Sequence, residues 1–209
     1  FTLKGAAEGA VKGELRDKAG NFGFNRKYTG FGLRDQAHGL SNDVIEKLTG
    51  KPGVAQTRVL FKMKTGKRSE EVFLSDFDGH KPLALTNDKT LVGSPKWSPD
   101  NSEVYYTLWL KRGGIENTTV LRQNMKTGAR DVMARYRGLN TGGVLSPQGF
   151  LAMILSKGGS PDVYVAPLNW EFMKNLKGEG LNRITATKEE ESGVSWSPNG
   201  QWLCFATRA

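Results

Sequence analysis

The sequence predicts a mainly β fold of propeller blades, about three of them, preceded by strands and one helix. Three observations carry this. Short apolar runs bounded by Gly, Pro, Asn or Asp recur from Thr57 onward with no sustained helical period. A Ser-Pro turn returns at long, nearly constant intervals. Glycine makes up 26 of the 209 residues, nearly twice the usual share of about 7%, and occurs in the singles and pairs that tight turns use.

Residues 1–56 read as strands, then one helix, then a linker. Phe1, Leu3, Val11 and Leu15 are separated from Phe22, Phe24 and Tyr28 by Asp17-Lys18-Ala19-Gly20-Asn21, a turn composition, so strands joined by a hairpin are expected. From Gly32 the period changes. Leu33, Ala37, Leu40, Val44 and Leu48 fall at helical spacing on one face, which predicts an amphipathic helix with that stripe turned inward. Gly50 suits a left-handed C-cap and Pro52 cannot continue a helix, so the element ends there, and residues 51–56 are a linker.

Residues 57–209 hold the blades. Strands are expected at 58–63, 72–75, 104–110, 120–124, 151–155, 163–166 and 202–206, while 170–176 is ambiguous between helix and loop. Trp97-Ser98-Pro99-Asp100-Asn101, Leu145-Ser146-Pro147-Gln148-Gly149 and Trp196-Ser197-Pro198-Asn199-Gly200 place their serines 48 and 51 residues apart. A period near 45 with four strands per repeat is that of a propeller blade. Proline presets φ in the tight turn, and Gly or Asn accepts positive φ at its end. The strands that follow, beginning Val104-Tyr105-Tyr106, Ala152-Met153-Ile154 and Leu203-Cys204-Phe205, are apolar at consecutive positions, as strands covered on both faces are. Trp97, Leu145 and Trp196 are therefore expected to pack between blades.

Thirty Lys and Arg against 21 Asp and Glu give a net charge of +9 without any basic tail. One cysteine and two histidines exclude an intrachain disulfide and make a Cys- or His-based metal site a poor expectation. No apolar stretch is long enough to cross a bilayer as a helix. The chain starts at Phe1 and stops just past a strand pattern at Thr207-Arg208-Ala209, so it reads as part of a longer protein.

The run from Lys47-Leu48-Thr49-Gly50-Lys51-Pro52 through Gly53-Val54-Ala55-Gln56-Thr57-Arg58, then Ser75-Asp76-Phe77-Asp78-Gly79-His80, then Ser94-Pro95-Lys96-Trp97-Ser98-Pro99-Asp100, resembles the TolB family in order and spacing. The resemblance implies an N-terminal α/β domain followed by a six-bladed propeller, of which this chain would hold the end of the first and about half of the second. It also implies a periplasmic, non-enzymatic component of the Tol–Pal system, without cofactor or metal, whose propeller binds the lipoprotein Pal and supports outer-membrane integrity and cell division. TolA would be engaged only through an extreme N-terminal segment absent from this sequence. The chain departs from the pattern in three places: the middle repeat lacks Trp and Asp, Asn101 replaces glycine, and residues 168–181 look inserted.

The alternative is a propeller domain of an envelope peptidase, resembling prolyl oligopeptidase, or of a sensory protein. Gly193-Val194-Ser195-Trp196-Ser197 lacks the fifth-position glycine of a nucleophile elbow, so Ser195 reads as a strand residue. Gly30-Phe31-Gly32 precedes a helix, but Asp35 stands where a dinucleotide fingerprint needs its third glycine. His38 reads as a half-buried packing residue, and Asp76 and Asp78 as parts of a hairpin turn, not a calcium loop. Lys62, Lys64, Lys67 and Arg68 form the densest basic patch, read as a solvated loop because no aromatics interleave to stack bases, so no nucleic acid partner is expected. Asn117-Thr118-Thr119 fits a glycosylation acceptor but carries little weight in a bacterial setting.

In a propeller the last strand of one blade returns to the first of the next, and here the returns are 87–93, 138–143 and 187–193. They are polar, and polar loops on a rigid scaffold are where binding resides. Lys89, Thr90, Leu139, Asn140, Thr141, Lys188, Glu189 and Glu190 are the expected partner-binding rim, presented as exposed side chains.

Overall fold

The computed structural model describes residues 2–7, 9–30, 32–112, 115–167 and 169–208. Phe1, Phe31, Leu168 and Ala209, which enter the readings above, lie outside them. The fold divides into two compact units, residues 1–59 with 74–83, and residues 60–73 with 84–209.

In the first unit, β1 (Thr2–Ala7), β2 (Val11–Arg16) and β3 (Phe22–Tyr28) form an antiparallel sheet, with Leu15 opposite Phe24. Helix α1 (Gly32–Thr49) lies where the period predicts it. Its inward face is only partly the predicted stripe. Leu33, Ala37 and Leu48 are exposed, Leu40 and Val44 are half-buried, and the buried residue is Gln36, which accepts the Val11 N–H at 2.7 Å. Further along, the Tyr28 hydroxyl donates to Asp43 at 2.5 Å. Besides Leu40, whose side chain lies against Gly13 of β2, the helix docks through the polar side chains of Gln36 and Asp43, contacts that hydrophobic periodicity does not register.

Thirteen more strands follow among the described residues. β4 (Arg58–Gly66), β5 (Ser69–Asp76) and β6 (Leu83–Ala84) make one sheet. β7 (Val92–Trp97), β8 (Glu103–Arg112), β9 (Ile115–Asn124) and β10 (Arg130–Ala134) make the next, in that spatial order. β11 (Asn140–Leu145), β12 (Phe150–Leu155), β13 (Asp162–Pro167) and β14 (Asn182–Arg183) repeat it, and β15 (Glu190–Trp196) pairs with β16 (Leu203–Arg208). Every adjacent pair with a recorded register is antiparallel.

A layer of core separates each consecutive pair of sheets in the second unit. Val104, Tyr106 and Leu108 of β8 point to one side, with Val72, while Tyr105 between them points to the other, with Met153 and Tyr164. Likewise Leu151, Met153 and Leu155 of β12 face one layer, and Ala152 and Ile154 the next. Both faces of these strands are covered, which is why their sequences run apolar without alternation. Trp97, Leu145 and Trp196 are half-buried and pack in successive layers, and the Trp196 indole donates to the Val144 carbonyl of the neighbouring sheet at 3.1 Å. The segment 169–181 contains a single 3₁₀ turn, Phe172–Lys174, and buries Trp170, whose indole donates to Met133 O at 2.9 Å.

The inner strands β7, β11 and β15 are absent from the apolar runs that the sequence displays, because each is broken at the same place. Their registers shift at Gly93–Lys96, Thr141–Val144 and Ser192–Ser195, and Ser94, Gly142 and Gly193 there take φ of 53°, 76° and 65°. These are β-bulges, spaced as the Ser-Pro turns are. Space is short beside them: a Cβ on Gly143 would lie 2.6 Å from Val120 Cγ1.

Candidate partner-binding rim

The repeated turns do a structural job through their serines. Ser98 Oγ accepts the Glu103 N–H at 2.9 Å, Ser146 Oγ that of Phe150 at 3.0 Å, and Ser197 Oγ that of Trp202 at 3.0 Å, each closing the turn onto the strand that follows. The turns end at positive φ on Asn101, Gly149 and Gly200, as expected of Asn and Gly.

At the other end of the sheets, each return is pinned by buried polar groups. In the first return, Thr86 Oγ1 accepts the Val72 N–H at 2.9 Å and donates to the Glu71 carboxylate, which also accepts the N–H groups of Asp88 at 3.1 Å and Lys89 at 2.7 Å. In the third, Thr185 Oγ1 accepts the Val163 N–H at 2.9 Å and donates to Asp162, fully buried and paired with Arg183 at 2.5 Å. The second uses Asn140 itself. Its side chain donates to the carbonyls of Tyr136, Thr118 and Gly138 at 2.7, 2.9 and 3.0 Å and accepts the Tyr136 N–H at 2.7 Å. Burial also pushes the Tyr106 phenol up to about 12, and it stays a neutral donor to Gln123 at 3.2 Å.

The proposed rim residues therefore separate. Lys89, Lys188 and Glu189 are exposed on the loops, and Glu190 is exposed at the start of β15. Thr90, Leu139 and Thr141 are half-buried, and the two hydroxyls are engaged within the fold, Thr90 donating to Trp109 O at 2.6 Å and Thr141 lying 2.9 Å from the Thr107 hydroxyl. Asn140 is a correction: it has 0% exposure, so its side chain cannot be presented to a partner. It looked available because a polar side chain in a loop reads as solvated until the groups that satisfy it are known. Asn140 and Thr141 open β11 and Glu190 opens β15, so the returns are also shorter than the sequence indicates. Glu71, Asp162 and Arg183 were missed. Their signal was present in the parallel runs Leu85-Thr86-Asn87-Asp88-Lys89 and Ile184-Thr185-Ala186-Thr187-Lys188, each following a strand with an acid in its opening residues, Glu71 in β5 and Asp162 in β13.

The other candidates take structural places. Ser195 lies in the β15 ladder opposite Cys204. His38 stacks edge-to-face on Phe77 at 5.4 Å, and Asp76 and Asp78 sit in a tight turn, both bonded to Arg34. Asn117 lies within β9 with its side-chain oxygen buried. Among the described residues, no group of three His, Cys, Asp or Glu side chains is arranged to hold a metal ion, and no helix is long and apolar enough to cross a membrane.

The family profile described as TolB beta propeller domain matches residues 45–208. This chain belongs to the TolB β-propeller family. Curated relatives named Tol-Pal system protein TolB are 34% identical over 111 residues in a Marinomonas species and 32% identical over 108 residues in Actinobacillus succinogenes, in each case over 52% of this chain. The matched segments are 25% and 24% of those relatives' lengths. The crystal structure of TolB from Acinetobacter baumannii superposes with a TM-score of 0.78 at 22% identity, covering 98% of this chain and 50% of that one. A putative TolB from Agrobacterium tumefaciens gives 0.56 at 18% identity, covering 97% and 64%. The TolB fold thus extends over nearly the whole chain, which spans half of the solved Acinetobacter protein.

Proposed function

We propose that this chain is the propeller-bearing part of a periplasmic Tol–Pal component that binds Pal through its return loops, acts by contact without turnover, and so supports outer-membrane integrity and cell division. Residues 1–56 are then the end of the preceding α/β domain, and 57–209 about half of a six-bladed ring. One observation carries the reading: return loops anchored by buried Glu71 and Asp162 hold the charged tips Lys89 and Lys188 in the open. Rigid loops presenting polar tips lose little freedom on binding. Family membership supplies the partner, since the relatives carry the Tol-Pal name.

The test is calorimetry of Pal with the full-length protein. Lys89→Ala with Lys188→Ala should weaken binding about tenfold, while Asp100→Ala with Gln148→Ala, at the opposite end of the sheets, should not. Loss of binding in a folded control pair, with the loop pair unaffected, would place the contact at the wrong end.

A further inference from the structure

Antiparallel pairing brings two kinds of connection to one end of each sheet in the second unit: the turn between second and third strands, and the return to the next sheet. They touch in series. The Glu70 N–H donates to Thr90 O at 2.9 Å, the Thr90 hydroxyl to Trp109 O at 2.6 Å, and the Glu191 N–H to Pro161 O at 2.9 Å. Exposed at this end are Lys64, Lys67, Arg68, Lys89, Arg137 and Lys188, and none of the six takes part in an ion pair with a described carboxylate. Several nearby acids are already engaged: Glu70 by Lys62 at 3.0 Å, Asp88 by Arg130 at 2.9 Å and Asp162 by Arg183. The three Ser-Pro turns at the other end contain no Lys or Arg. Lys96 and Lys126, toward the other end, are also exposed and outside the ion pairs of the described residues, so unpaired cations are concentrated on the end that carries the pinned loops without being confined to it.

We propose that this end docks an acidic protein face. The inference rests on the Pal-binding reading and adds the chemistry the contact needs. Cations fixed on one end raise the local concentration of an oppositely charged partner and speed its encounter, although each exposed pair is worth little singly. A protein is favoured over a lipid sheet or a nucleic acid because Glu189 and Glu190 stand on the same rim. A uniformly anionic surface meets those two with repulsion, whereas a folded partner can set its carboxylates opposite the cations alone.

Binding of Pal to the full-length protein is measured at about 50 and about 300 mM NaCl, between which the screening length falls to roughly half. Lys67→Glu with Arg68→Glu should weaken binding about tenfold at low salt, and Glu189→Lys with Glu190→Lys should strengthen it severalfold, both effects shrinking at high salt. Circular dichroism confirms that the variants are folded. Pal that binds with an affinity indifferent to salt and to both variants overturns the acidic-face inference and leaves Pal binding standing. If Pal does not bind the wild type, that reading fails, and a short Glu-rich peptide and phosphatidylglycerol-containing vesicles decide the inference. Peptide binding that is lost in Lys67→Glu/Arg68→Glu supports it. No peptide binding, or vesicle binding equal to or stronger than peptide binding, overturns it.

Discussion

Asn140 and Thr118 are joined twice across the boundary between neighbouring sheets: the Asn140 N–H donates to the Thr118 hydroxyl at 2.6 Å, and the Asn140 side-chain amide donates to the Thr118 carbonyl at 2.9 Å. Both residues are buried. Asn140→Ala strips several buried main-chain groups of their partner and should destabilise the full-length protein by about 3 kcal/mol. Asn140→Asp should also destabilise, because a carboxylate cannot donate to the three carbonyls that the amide serves. Urea unfolding measures both. Pal affinity per folded molecule should be unchanged, and a folded Asn140→Ala variant of normal stability that no longer binds would return this residue to the contact surface.

Ser94 occupies the bulge position that glycine fills in the two later repeats, at φ 53°. It is exposed, so little packing is at stake. Ser94→Gly should therefore raise stability by about 0.5 to 1 kcal/mol, while Gly142→Ser, at φ 76° and with Val194 Cγ1 3.1 Å from the added Cβ, should lower it by more than about 1 kcal/mol. Thermal melts of the two variants must move in opposite directions.

Arg183 neutralises a carboxylate with 0% side-chain exposure. Arg183→Ala leaves Asp162 charged, buried and short of its strongest partner, and should cost about 3 kcal/mol or more. Asp162→Asn combined with Arg183→Ala should recover part of that loss, since no buried charge then remains. A double variant no more stable than Arg183→Ala would show that the pair's charge is not what matters there.

Asp100 is held at about 2, below the ordinary carboxylate range, by hydrogen bonds from Ser98 and Ser102. Its folded-state value lies below its unfolded one, so its contribution is complete above about pH 4 and is lost as pH falls toward 2. Asp100→Asn keeps the geometry that Asn199 shows in the third turn, where Ser197 donates to it at 2.7 Å. The gap in melting temperature between wild type and Asp100→Asn should narrow from pH 5 to pH 2, and a constant gap would dissociate this carboxylate from the acid sensitivity of the fold.

The amino-acid sequence by itself determined the blades. Proline at Pro99, Pro147 and Pro198 with Asn or Gly at the turn's end restricts the backbone locally, and the unbroken apolar runs of β8 and β12 require cover on both faces. Both are short-range properties, so they can be read from neighbours in the chain, as can the helix stop at Gly50 and the family motifs around Trp97. Only the tertiary structure decided which polar groups are hidden. Asn140 and Asp162 are interior because a neighbouring strand or a distant Arg183 satisfies them, and Gln36 is the buried residue of its helix because it accepts the Val11 N–H at the start of β2. Burial of a polar group has a cost set by partners far away in sequence, so residue type alone does not fix its sign. The gathering of Lys67, Arg68, Lys89 and Lys188 at one end is decided the same way: they lie on three connections far apart in sequence, and only the alternation of antiparallel strands sums their charges on a single surface.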